Sequence, residues 1–183
     1  MVLAPLASGA MRDEFVTDVP MARAQSIMRT RLAGTARASD NWRRYRTVAT
    51  FGSPLFPSDA ELAQFEPTSP SLQSWLQIPA AERRHDLLIR PDEDYYWMGD
   101  YMRAGKPVEF AAEFIVHLSP VAGEKSRVSV IQIRSRVRLG KTFDLTGRAG
   151  PGFYWNIEAV APSPMATADL TDFLAGAFTG QKL

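Results

Sequence analysis

The segment Arg127–Lys141, RVSVIQIRSRVRLGK, carries five basic side chains and no acidic one, with Arg134, Arg136 and Arg138 on alternate positions. Just upstream, Val108–Leu118, VEFAAEFIVHL, sets Phe110, Ala112, Phe114, Val116 and Leu118 in alternation with Ala111, Glu113, Ile115 and His117. A period of two is that of a β-strand, whose successive side chains leave on opposite faces. The intervening SPVAGEKS supplies a turn, so the two runs read as one antiparallel hairpin. Pairing Leu118 with Arg127 sets Phe114 against Ile131 and Ala112 against Ile133, apolar against apolar. The same register places Glu109 opposite Arg136, Glu113 opposite Gln132 and Ala111 opposite Arg134. Strict alternation then puts the three arginines on the face opposite Ile131, Ile133, Val137 and Leu139.

Outward from the hairpin, FYWNIEAV reads as a further strand beyond the glycine-rich corner GRAGPG. SPMATADLTDFLAGAF is an amphipathic helix with Ser163 as its cap, Pro164 in its first turn, and Leu170, Phe173, Leu174, Ala177 and Phe178 on one stripe. Toward the N-terminus, DVPMARAQSIMRTRLA offers Ala24, Ile27, Met28 and Leu32 at helical spacing with Gly34 as a stop. Tyr45–Phe51 reads as a strand. Pro54 to Pro91 contains six prolines, which exclude a long helix or central strand and leave short helices capped near Asp59, Ser69 or Ser71, with a third opening at Pro79. DYYWMGDYMRAGKP is a strand or loop turning at Gly105. The order predicts an α+β single domain over residues 17–180: an antiparallel sheet of four to five strands, with the N- and C-terminal helices and the short helices packed on one face. Residues 1–16 are expected to form a flexible leader or tag.

A chain of 183 residues, 45% hydrophobic and 22% charged, has globular composition and length enough to bury a core without staples. With no cysteine, thiol catalysis and thiolate metal sites are excluded. A net charge of +1 gives no global field, and no helix-turn-helix, zinc-finger or RNA-recognition signature is present, so nucleic acid is not an expected partner. No apolar run approaches the ~20 residues of a membrane helix. His85 and His117 stand far apart and outside any metal or triad pattern, and His117 is expected to point outward. Asp92, Glu93, Asp94 and Asp100 lack the spacing of a calcium loop. GRAGPG leads into a strand, not into the helix N-terminus of a phosphate cradle. No nucleophile, base and orienting group read together, so neither an enzyme nor a cofactor is expected.

The arginine row admits two readings. One is a solvated face with cross-strand ion pairs such as Glu109 to Arg136, each worth about 0–1 kcal/mol. The other is an anion-binding strip, because parallel guanidinium groups suit carboxylate or phosphate on a partner. In the clusters DYYWMGDY and FYWNIEAV, three adjacent aromatics cannot all point inward, so at least one in each reaches the other face or the rim. Arg134, Arg136, Arg138 and Lys141, with Tyr96, Trp97, Tyr101, Tyr154 and Trp155, form the candidate partner-binding set for another protein. Replacing the three arginines with serine is expected to abolish binding with little change in melting temperature. The alternative is a domain that holds an apolar small molecule or lipid in a pocket between curved sheet and last helix, lined by Phe173 and Phe153–Trp155.

The stretch LASGA, Leu6–Ala10, resembles the end of a bacterial lipoprotein signal, with Ala10 where the lipidated cysteine would stand. That resemblance implies a cell-envelope accessory component and favours the periplasm or envelope over the cytoplasm. An expression leader ending in GAM is the other reading of the same residues.

Overall fold

A computed structural model describes residues 12–33, 41–65, 69–92, 95–99, 101–146 and 150–179. The leader through Met11, Gly34, three of the four acids at 92–100 and the heart of GRAGPG lie outside the described residues. The elements run β1 (Glu14–Thr17), α1 (Met21–Ala33), β2 (Tyr45–Thr50), α2 (Asp59–Leu62), α3 (Pro70–Leu76), β3 (Leu87–Pro91), β4 (Met102–Arg103), β5 (Lys106–Pro107), β6 (Glu109–Val121), β7 (Lys125–Asp144), β8 (Gly152–Ala159) and α4 (Pro164–Ala175). The chain is α+β, with a sheet of six antiparallel strands among the described residues. Its order is β1-β7-β6-β3-β2, with β8 also on β7 beyond β1. A small β4–β5 hairpin turns through Ala104 and Gly105, both at positive φ.

The sheet is larger than expected because two strands were hidden. Leu87–Pro91, whose Leu87 and Leu88 read as the tail of a helix opening at Pro79, is a central strand between β2 and β6. Only Ala80–Glu82 coils, as one 3-10 turn, and five residues ending in proline are too short to carry a helical period. Glu14–Thr17, of which Glu14–Val16 were assigned to the leader, pairs with β7, and its Phe15 is buried in the core.

Helices cover both faces, not one. Across one face, α1 and α4 bury Ala24, Met28, Leu32, Leu170 and Leu174 against Phe110, Phe114, Val116, Leu118, Val128 and Val130. Each fully buried Leu or Met contributes about 1.5–3 kcal/mol, which fastens both terminal helices. Ser163 caps α4, accepting from the Ala166 N–H, with Pro164 next in the chain. Tyr45 crosses this core and donates its hydroxyl to the Ala112 carbonyl at 2.9 Å, and burial pushes the phenol pKa well above its ordinary value. On the opposite face α2, α3 and the turn before them bury Leu62, Leu72, Trp75 and Phe56 on Leu88, Ile115, Ile131 and Ile133. Ile115, Ile131 and Ile133 are therefore a second core, which the proline-rich segment exists to cover.

The hairpin forms, but one residue out of the expected register: Leu118 pairs with Val128, Ile115 with Ile131 and Phe114 with Gln132. The turn is tighter than SPVAGEKS implied, since Val121 still pairs with Lys125 and positive φ at Gly123 and Glu124 closes it. A one-residue slip exchanges faces, and so Ile131 and Ile133 side with Ile115 instead of Phe114.

Candidate interaction face

The arginines owe their position to a β-bulge. Between Glu113↔Ile133 and Ala111↔Arg136 the register shifts, so that β7 spends two residues, Arg134 and Ser135, opposite the single Ala112. Arg134, the first residue of the bulge, takes the left-handed conformation, φ 38°, as in one class of bulges. The bulge inverts the parity of β7. Without it Arg136 and Arg138 would follow Val128 and Val130 into the core beneath α1 and α4. With it, Val137 reaches that core, and Arg136 and Arg138 emerge on the face of Ile131 and Ile133. The three arginines do share one face, but on the same side as those isoleucines, where α2 and α3 stop short.

Glu113 organises them. It is 3% exposed, and it accepts from Arg90 Nε at 2.8 Å and from an Arg134 terminal nitrogen at 3.3 Å, with Arg136 at 3.7 Å. Arg90 on β3 stands across from Glu113 because the β3–β6 ladder, with Leu88 opposite Ile115, brings them side by side. Beside this hub Arg138 grips Glu109 with two hydrogen bonds, 2.7 and 2.8 Å, and that contact holds the Glu109 carboxyl below its usual pKa. The expected partner of Glu109, Arg136, is displaced by the register. Aromatic rings floor the row: Arg134 lies 4.3 Å above Phe65, Arg138 4.4 Å from Tyr96 and 4.0 Å from Trp155, and Lys141 4.7 Å from Trp155. Such stacking presents a guanidinium flat; Arg134 is 44% exposed, whereas Arg138 is 13% exposed and gives two of its N–H groups to Glu109.

Of the predicted set, Arg134, Arg136, Arg138, Lys141, Tyr96 and Trp155 come together. Trp97 does not. It is 4% exposed, bridges to Phe110 and packs on Trp42 and Tyr45. Alternation separates it from its neighbour Tyr96, one ring entering the core and the next supporting the arginines. Tyr101 stacks on Phe110 at 5.5 Å against the same core. Tyr154 falls on the other side of β8 from Trp155 and donates its hydroxyl to the Gly150 carbonyl. Phe173 and Phe153–Trp155 do not enclose a common pocket: Phe173 packs beside the helix core under Arg31, whereas Phe153 is 70% exposed against Phe143. Two clefts border α4, one of about 450 Å³ at its N-terminal end beside Gln132, Pro162 and Thr167 and one of about 550 Å³ at its C-terminal end beside Phe15, Ala175 and Phe178, and neither is lined by Phe173 or Phe153–Trp155.

No family model, curated protein or solved structure matches the chain.

His117 is also placed differently from expectation. Alternation on β6 sets it on the face of Ile115, which α3 covers, and there Nδ1 lies 2.9 Å from both oxygens of the fully buried Asp86. Asp86 also accepts from Trp75 Nε1 at 2.7 Å and from the Leu118 N–H at 3.1 Å. Asp86 thus joins Trp75 of α3 to His117 and Leu118 of β6, so this is a brace. Arg83 extends it, pairing with Asp59 at 2.7 Å through two bonds while lying over Phe51 and Trp75. Sequence reasoning missed both Glu113 and His117. The available signal was Ile115 between them, an apolar residue on the alternation assigned to water. Among the described residues no group of three His, Asp or Glu could hold a metal, and no helix is long and apolar enough to cross a membrane.

Proposed function

We propose that this chain is a non-enzymatic interaction domain that docks another protein on the sheet face carrying Arg134, Arg136, Arg138 and Lys141. The observation that supports this reading is the arrangement of charge. Arg90, Arg134 and Arg136 converge on one buried carboxylate, and the rings beneath hold the outer cations in place before any partner arrives. Preorganised cations set among aromatics form the kind of surface that exchanges water for a partner's carboxylates with little loss of side-chain entropy. Service in a bacterial envelope assembly belongs to the same proposal, supported by the resemblance of Leu6–Ala10.

The arrangement alters the test. Arg136 and Arg138 serve Glu113 and Glu109, so replacing all three arginines would weaken the fold together with any docking. The cleaner variant is Arg134→Ser with Lys141→Ser and Trp155→Ser, which leaves Arg90 and Arg136 on Glu113. In pull-downs from the source cell this variant should lose the partner that the parent recovers while melting within a few degrees of it. Undiminished recovery of the same partner refutes the proposal.

A further inference from the structure

We infer that the partner enters as an extended acidic segment that adds to the sheet along β8. This rests on the docking-face reading and specifies its geometry. Strand β8, GFYWNIEA, pairs with β7 from Ala159 to Gly152, and among the described residues with nothing else. Its outer edge therefore presents a row of backbone donors and acceptors. Soluble proteins blunt such edges with proline, lysine or brevity. This one runs eight residues with neither proline nor lysine, and its one charged side chain, Glu158, is tied to Arg103. It instead exposes Phe153 (70%), Trp155 (39%) and Ile157 (54%) on alternate positions of one face, beside Phe143 (52%).

That is the face of the cations. Lys141 pairs with Trp155 and Arg138 with Ile157, and both cations lie over the Trp155 ring. A strand laid against β8 would set alternate side chains beside Phe153, Trp155 and Ile157, within reach of the Lys141 ammonium. The charge balance among the described residues selects its chemistry: Arg90, Arg134, Arg136 and Arg138 are paired with Glu61, Glu109 and Glu113, and Lys141 lies on the Trp155 ring. The surplus is positive, which favours carboxylates on the incoming strand. It disfavours a second copy, whose own surplus would be drawn alongside through β8-to-β8 pairing.

The probe is a fluorescent, end-capped ten-residue peptide alternating Asp and Val, titrated by anisotropy onto the whole chain at low salt. Two further versions carry N-methyl groups on the Asp amides or on the Val amides. In a strand, alternate N–H groups point to opposite edges, so one methylated version should bind about tenfold or more weakly and the other within about twofold of the parent. Lys141→Ser should weaken all three. Equal binding of both methylated peptides would overturn strand addition while leaving the docking face intact. No binding of the parent peptide, with pull-down still sensitive to the Arg134, Lys141 and Trp155 variant, would do the same. If that pull-down is insensitive as well, the docking face itself fails. A dimer in sedimentation equilibrium that Ile157→Lys dissociates would assign the edge to a second copy and overturn the inference.

Discussion

Replacing Glu113 with Gln isolates the charge that holds the arginine row together. The amide keeps the shape and one acceptor but removes the negative charge between Arg90, Arg134 and Arg136, at 2.8, 3.3 and 3.7 Å. Unit charges about 4 Å apart interact by about 4 kcal/mol at an effective dielectric near 20. Removing one partner of a fully buried pair costs about 3–5 kcal/mol. Here the three guanidinium groups are 31%, 44% and 28% exposed, so water recovers part of the loss and a net cost of about 2 kcal/mol is expected. For a domain of this length that corresponds to a fall in melting temperature of roughly 4–8 °C. Urea denaturation with an unchanged m-value should return the same free energy, and the deficit should shrink as salt screens repulsion among the partly exposed cations. A variant within about 0.5 kcal/mol of the parent at low salt would refute the role assigned to Glu113 as the hub.

Three further outcomes follow from the same contacts. Asp86→Ala should cost about 3–5 kcal/mol by urea denaturation, because it leaves Trp75, Leu118 and His117 donors buried without their acceptor; Trp75→Phe, losing one bond to that carboxylate, should cost about 1.5–3 kcal/mol beyond any packing change. Arg134→Val should be less stable than Arg134→Gly by about 1 kcal/mol or more, since a β-branched residue is strained at φ 38° and glycine is not; equal stability would deny the bulge. The folded-state pKa values of Glu109 and Asp59 lie below 4.5 and 3.8 because Arg138 and Arg83 hydrogen-bond the ionised forms. Each contributes stability that is present above its ordinary value and is lost as pH falls through the depressed one, so the parent should lose stability on acidification below about pH 4.5, and Arg138→Gln should flatten that dependence.

The helices and the hairpin were legible because each carries its own period and cap: Ser163–Pro164 opens α4, Ala24, Met28 and Leu32 line α1, and the alternation of Val108–Leu118 marks β6. What could not be read was parity. A bulge leaves no period of its own, and the Arg134–Ser135 insertion changes which side of the sheet Arg136, Val137 and Arg138 face, until a second shift between Arg138 and Lys141 reverses it. The grouping of Arg134, Arg136 and Arg138 survived because all three lie at or after the insertion, whereas their relation to Ile131 and Ile133 was inverted. Strand β3 was concealed for another reason. LLIRP is buried on both faces and so lacks alternation, and its prolines on either side resemble the punctuation of short helices. The sorting of Tyr95, Tyr96 and Trp97 was readable as a rule, but not which ring would take the core, since that depends on the Trp97 bridge to Phe110.

The most direct test of the account is photocrosslinking in the source cell, with a benzophenone amino acid placed at Ile157, on the cation face, or at Ser26, exposed on α1 across the sheet. A discrete adduct should form from position 157 and disappear when Arg134 and Lys141 become serine, while position 26 gives none. An adduct from position 26 alone, or one at 157 that persists without those two cations, would contradict it.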